Sequence, residues 1–274
     1  MKNSNTIFVA HDFTPASKNA LNLAAELAVK TNASLFIYNI ISTAILTDNV
    51  TYVTYTPEKA INKHKGYIKR SISTLIKKHP ALNADYSVDF GFFLPTLIEK
   101  LEKINPWLLV LGTKKRTGWS QTIFGDTCSE LIGKVSTPTL IIPKNFKELN
   151  LKTIAYALDG KSVETHQLNA LKTILGSTES YITAINITHH DENSIKNASK
   201  MKTALKIKFD NQLVELLQIQ GLDQNAEMKK ALENIQPNLL VVFAHHYSFW
   251  QSIFHKSFTK EVIKFSNSPV LVVY

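Results

Sequence analysis

Ile104-Asn105-Pro106-Trp107-Leu108-Leu109-Val110-Leu111 is echoed near the other end of the chain by Ile235-Gln236-Pro237-Asn238-Leu239-Leu240-Val241-Val242. Downstream, Ser136-Thr137-Pro138-Thr139-Leu140-Ile141-Ile142 is echoed by Asn267-Ser268-Pro269-Val270-Leu271-Val272-Val273. In each copy the two prolines stand 32 residues apart (138 − 106 and 269 − 237). Upstream, Thr6-Ile7 and Asp12 pair with Thr153-Ile154 and Asp159, and Tyr38-Asn39-Ile40 with Ile185-Asn186-Ile187. The early pairs lie 147 residues apart and the late ones 131, so the second copy is 16 residues shorter (147 − 131) between its second and fourth strands. Several anchors agreeing in order and spacing mean an internal duplication, and they divide the 274 residues into units 1–147 and 148–274.

Within a unit, short β-rich runs alternate with amphipathic helical stretches. In the first copy, strands are predicted at Ile7–Ala10, Ser34–Ile40, Tyr86–Phe90, Leu108–Leu111 and Thr139–Ile142. Helices are predicted at Ser17–Lys30, Pro57–Lys78, Pro95–Lys103 and about Asp126–Lys134. The first helix presents Ala20, Leu21, Leu23, Ala24 and Leu27 on one face; the second presents Ile61, Ile68, Ile72, Leu75 and Ile76. Strands separated by helices of this length require βαβ crossovers. The expected fold is α/β: two tandem doubly wound domains, each an open, mainly parallel five-stranded sheet with helices on both faces. The last strand of each unit, short and apolar, falls at a sheet edge and requires a partner, so the two copies are expected to pair through these strands.

Composition narrows the classes. The chain is 44% hydrophobic and 19% charged, which excludes a disordered polymer. One cysteine, Cys128, excludes a disulfide scaffold and suits a reducing compartment. The first residues read as a strand rather than a leader, and no run approaches the roughly 18 apolar residues of a bilayer span. A cytoplasmic protein without a membrane partner is expected. The net charge of +9 raises a polyanion partner. Its densest segment is Lys59–Lys78, with seven Lys/Arg and no acid. The apolar stripe there is needed by the sheet, so the charges read as a solvated helix face, and no recognition motif points to nucleic acid.

Ligands of an open α/β sheet bind at the carboxyl ends of strands beside the topological switch point. After the first strand come His11-Asp12-Phe13-Thr14, and after the fourth comes the segment from Gly112 to Thr127, with Lys114-Lys115-Arg116, Gly118 and Gly125 within it. Glycines allow close backbone approach, cations neutralise phosphate, and a helix start offers amides to an anion. Neither a P-loop nor a Gly-x-Gly-x-x-Gly run is present.

These residues resemble the universal stress protein family, whose loop after strand four reads Gly-x-x-Gly-x(9)-Gly-Ser/Thr and whose first strand is followed by an Asp. Gly112 and Gly125 match the first and last glycines (125 − 112 = 13), and Arg116-Thr117-Gly118 resembles the family's Arg-Thr-Gly. The resemblance runs over nearly the whole chain through the duplication. It implies an adenine nucleotide alpha hydrolase-like fold and ATP or AMP, perhaps with Mg, in the first domain. Carried over by residue, Asp12 meets the ribose or a metal, the Ile40 backbone meets adenine, and Ala10 and Leu111 line the base pocket. Gly112, Lys115, Arg116, Gly118, Gly125, Asp126 and Thr127 form the phosphate loop. Two positions depart: Lys115 replaces the second glycine, and Asp126 stands where Ser/Thr is expected, repelling phosphate without an intervening metal or proton. Beside nucleotide binding stands a ligand-free reading, in which these are strand-end residues and an exposed basic loop.

In the second copy the corresponding loop runs from Phe243 through His245-His246 and Trp250 to Ser257, without a glycine. Bulky side chains there fill a phosphate site, so no nucleotide is expected. His245, His246, His255 and the pair His189-His190 with Asp191 lack a metal-ligand spacing, and no catalytic base or nucleophile stands out. The resemblance implies a stress-response binding or regulatory module, with at most weak ATP hydrolysis. A scaffold acting through protein surfaces is the alternative; a further homodimer is compatible with either.

Overall fold

The computed structural model describes residues 4–42, 57–113, 131–132, 134–158, 168–188, 192–210, 212–243 and 268–274. The first half contributes β1 (Ser4–Ala10), α1 (Pro15–Lys30), β2 (Ser34–Ser42), α2 (Pro57–Lys78), β3 (Ala84–Gly91), α3 (Phe93–Ile104), β4 (Pro106–Thr113) and β5 (Thr139–Pro143). The second contributes β6 (Thr153–Leu158), α4 (Asn169–Leu175), β7 (Tyr181–Thr188), α5 (Glu192–Lys208), β8 (Leu213–Gln220), α6 (Gln224–Ile235), β9 (Leu239–Phe243) and β10 (Val270–Val273).

The ten strands form one sheet in the order β3-β2-β1-β4-β5-β10-β9-β6-β7-β8. Each half is a parallel five-stranded unit in which the chain reverses direction across the sheet between its first and fourth strands. The halves meet at β5 and β10, which run antiparallel with Val270 opposite Ile141, Leu271 opposite Leu140 and Val272 opposite Thr139.

The repeated stretch is a helix stop joined to a strand start. α3 ends at Asn105 and α6 at Gln236, both left-handed, with φ of 48° and 46°. Their amides close on Leu101 O at 2.7 Å and Leu232 O at 2.9 Å. A proline follows in both copies; it cannot extend the helix and is tolerated at the first position of a strand. At the sixth residue of the echoed stretch the correspondence persists: Leu109 N donates to Pro138 O at 2.8 Å, and Leu240 N to Pro269 O at 2.9 Å.

Alternating strand residues separate two cores, as period-2 side chains require. Ile7 and Val9 of β1 lie on the side of the sheet that carries α1, α2, α4 and α5, whereas Phe8 and Ala10 lie on the side that carries α3 and α6. All five apolar residues expected on the inner face of α1 are buried. In α2 the stripe is shifted: Ala60, Ile68 and Leu75 are buried, Ile61 and Ile72 half-buried, and Ile76 is exposed. The helix lies at the β3 side of the sheet, where its far flank has no neighbour among the described residues, so the wide stripe read from the sequence is wider than the core requires. β1, β3 and β4 also extend beyond the predicted spans, and α3 starts two residues before Pro95.

Candidate functional site

The switch point lies where β1 and β4 run side by side, with Ala10 opposite Leu111 and, on the other flank, Tyr38 opposite Ala10. Ala10 and Leu111 are buried on the α3 side of the sheet, and Ile40, two residues beyond Tyr38 on β2, packs half-buried against the same core. Three of the expected pocket residues are therefore on one face at the carboxyl ends of adjacent strands.

Asp12 follows β1 and organises the start of α1. Its Oδ1 accepts from the Thr14 amide at 3.0 Å and from the Thr14 hydroxyl at 2.6 Å. Thr14 is the N-cap: its side chain accepts from the Ser17 amide, and Pro15 follows at the first helical position, where no donor is lost. The Asp12 amide in turn donates to Ser17 Oγ at 3.3 Å. This arrangement occupies one carboxylate oxygen and leaves Oδ2 without a hydrogen-bond partner among the described residues.

Gly112 is glycine for a reason visible within the protein. A Cβ built there would lie 2.4 Å from Ala16 O and 2.8 Å from Ser17 N. The backbone of β4 therefore passes directly beneath the first turn of α1. Lys114, Lys115, Arg116, Gly118, Gly125, Asp126 and Thr127 lie outside the described residues, as do Cys128, Asp159, His189, His190, Asp191, His245, His246 and His255. In the second half, Phe243 takes the place of Gly112, and its ring meets Tyr156 edge-on at 5.6 Å.

Sequence reading passed over a second group on the α1–α2 side. His11 is 2% exposed, and neither ring nitrogen makes a hydrogen bond of normal geometry. Burial pushes its pKa down to about 4, against weaker opposing attraction from Asp12 and the Ser17 backbone. Phe13 has φ of 63°, strained for a bulky residue. Its ring lies edge-on to His11 at 4.9 Å, His64 at 5.3 Å and Tyr67 at 5.6 Å. Buried Asn39 ties the group together, donating Nδ2 to His11 O at 2.7 Å, while its Oδ1 lies 2.7 Å from His64 Nδ1. Since a carbonyl can only accept, the amide orientation is fixed and the proton belongs on His64 Nδ1. Burial, then the neighbouring Lys63, lowers the His64 pKa. Asn39 recurs as Asn186, but the histidines and Phe13 have no counterpart outside the first half, and the duplication therefore gave no pointer to them.

A polar knot also supports the pocket face. Tyr38 donates its hydroxyl to Asp89 at 2.7 Å, and Lys100 Nζ lies 2.8 Å from the same carboxylate. Burial raises the Asp89 pKa, but hydrogen bonds from Lys100, Tyr38 and Ser87 outweigh it and hold the carboxyl below its usual range. Burial and the Asp89 hydrogen bond raise that of Tyr38. Among the described residues no group of three or more His, Cys, Asp or Glu is placed to hold a metal.

Comparison with known proteins follows this geometry. Residues 3–143 match the model of the universal stress protein family. No curated protein matches the sequence. A universal stress protein from Archaeoglobus fulgidus DSM 4304 superposes with a TM-score of 0.71 at 14% identity, covering 98% of both chains. A functionally unknown protein from Pseudomonas aeruginosa PAO1 superposes at 0.58 with 11% identity, covering 98% of this chain and 92% of its own. The cytoplasmic domain of a prokaryotic cation chloride cotransporter shares the fold at 0.54 and 8% identity, over 99% of this chain and 95% of its own. These structural likenesses speak for the fold, while the family match covers 141 of 274 residues (143 − 3 + 1) and includes β1, the switch point and the whole loop after β4. On that match, the chain belongs to the universal stress protein family.

Proposed function

We propose that the protein is a cytoplasmic stress-response binding module that takes ATP or AMP in its first domain and no nucleotide in its second. The observation that carries this reading is the shared face of Ala10, Leu111 and Ile40 at the switch point, with Asp12 following β1 and its Oδ2 without a hydrogen-bond partner among the described residues. These residues fit a base and ribose: a methyl group and two aliphatic side chains offer an apolar floor, and the second Asp12 carboxylate oxygen can accept from a hydroxyl. Lys115 and Arg116 would neutralise phosphates from the following loop, and Asp126 calls for Mg alongside them. When bound, Mg would supply charge neutralisation at the phosphates. In the second domain, Phe243 and the glycine-free loop support the absence of a nucleotide. A cytoplasmic location accords with the lone Cys128 and with the absence, among the described residues, of a helix long and apolar enough to cross a membrane.

We divide the chain into domains 1–147 and 148–274, paired within one molecule as a pseudo-dimer. The antiparallel β5–β10 ladder supports this division.

Two observations favour a ligand-free scaffold as the second reading. The missing side chain at Gly112 is accounted for by α1, and half of the Asp12 carboxylate is spent on Thr14. Isothermal titration with ATP and Mg, and with AMP, separates the readings. Binding at one site per chain, weakened at least about tenfold by Lys115→Glu, supports the nucleotide. Absence of heat in both titrations, with no nucleotide found by mass spectrometry of the purified protein, supports the scaffold. Retention on duplex DNA that falls steeply with salt would instead reveal nucleic-acid binding.

A further inference from the structure

The two outer strands of the sheet are equivalent in the duplication yet differ in cover. β3 exposes one residue of eight, Asp85, whereas β8 exposes five of eight. On β3, α2 packs from one side and α3 from the other; on β8, α5 packs on one side while α6 lies chiefly over β7. Leu213 and Leu217, which alternation places away from α5, are left 71% and 37% exposed. Nearby, Ile207 in the last turn of α5 and Leu222, two residues after the strand, are 76% and 93% exposed.

β8 also lacks the devices that protect edges. Leu213-Val214-Glu215-Leu216-Leu217-Gln218-Ile219-Gln220 contains no Lys, Arg, Pro or Gly. Its single charge, Glu215, is engaged by the Tyr181 hydroxyl of β7. The Leu213 amide donates inward to Ser180 O and the Gly221 amide to Thr188 O. Because backbone groups alternate along a strand, the amides of Val214, Leu216, Gln218 and Gln220 point outward, where no strand follows among the described residues.

We infer that β8 is a homodimer interface, pairing antiparallel with β8 of a second copy of this chain about a two-fold axis normal to the sheet. Such an axis preserves the faces of the sheet and centres the pairing on a residue whose amide points outward. Centred on Leu216, it sets Leu213 opposite Ile219 and Glu215 opposite Leu217, with no like charges facing. In this register an apolar pair, Leu213 with Ile219, closes each end of the ladder, because antiparallel pairing brings each end of the strand against the other end of the second copy. That self-complementarity selects a second copy over an unrelated partner. β5 and β10 already show this mode of closure within the chain. The cost is electrostatic: α5 carries Lys196, Lys200, Lys202 and Lys206, and the two-fold brings both helices to the same junction. The dimer therefore strengthens with salt, opposite to an acidic strand captured by the same lysines.

Sedimentation equilibrium of the full chain over a concentration series, at low and high ionic strength, tests the inference. The expected result is a reversible dimer whose dissociation constant falls as salt rises. Leu213→Lys with Leu217→Lys, both exposed in the monomer, should weaken it at least about tenfold with an unchanged melting temperature at low concentration. Gln218→Pro offers an independent arm, since it removes an outward N–H and leaves the β7 ladder intact. Concentration-dependent hydrogen-exchange protection of the Val214, Leu216 and Gln218 amides would locate the contact in the unaltered protein. A monomer at every concentration, a dimer indifferent to these changes, or a dimer dissolved by salt overturns it.

Discussion

Burial holds the His11 imidazole far below its ordinary range. Its folded pKa of about 4 lies below the ordinary 6.5, so between those values the unfolded chain holds a proton that the folded chain refuses. Stability is accordingly full above pH 6.5 and declines as pH falls toward 4, by roughly 3 kcal/mol for this group. Urea unfolding at a series of pH values should show that decline, and His11→Leu should flatten it. Gly112 gives a second test at this scale. Gly112→Ala places a methyl group against helix backbone and should destabilise by about 1–3 kcal/mol, measurable without any nucleotide. A neutral Gly112→Ala would mean that α1 can withdraw from β4.

At the scale of elements, the chain's punctuation was the most legible part. Pro106 and Pro237 marked both helix-to-strand junctions, because the residues before them must leave the helix and the proline itself cannot continue one. The five parallel strands per half followed from the βαβ alternation. Legibility was poorer where a helix lies at the rim of the sheet: Ile76 of α2 satisfies the helical period yet remains exposed, since periodicity reports which residues could be buried and not how wide the facing core is. The site divided the same way. The strand-end rule directed attention to the segment after the first strand, which holds Asp12, while the roles of Ala10, Asp12, Ile40 and Leu111 were implied by the family resemblance. The grouping of His11 and Phe13 with His64 was not legible, because they come together from two separate segments and the left-handed turn at Phe13 brings the rings into contact. Helix caps give a prediction here. Asp223 accepts from the Asn225 and Ala226 amides at the start of α6, and Asp223→Ala should cost about 1 kcal/mol in equilibrium unfolding.

For the molecule as a whole, the continuous sheet couples the halves. Lys30 Nζ of α1 donates to Thr178 Oγ1 at 2.7 Å, adding a cross-half tie beside the β5–β10 ladder. Heating and urea should therefore give one cooperative transition, with coincident far-UV and fluorescence midpoints. The fragment 1–147, deprived of β10, should present β5 to another copy and run as a dimer in size-exclusion chromatography with light scattering.

The placement of β10 has a mechanical consequence. This strand is held on both sides, parallel to β9 and antiparallel to β5. An edge strand pulled at one end can be peeled away one hydrogen bond at a time. A pull along β10 must instead load two ladders together along their length, and slip four buried residues, Val270 to Val273, from between both cores. A force that extracts β10 therefore meets two ladders in shear at once instead of one ladder that opens stepwise.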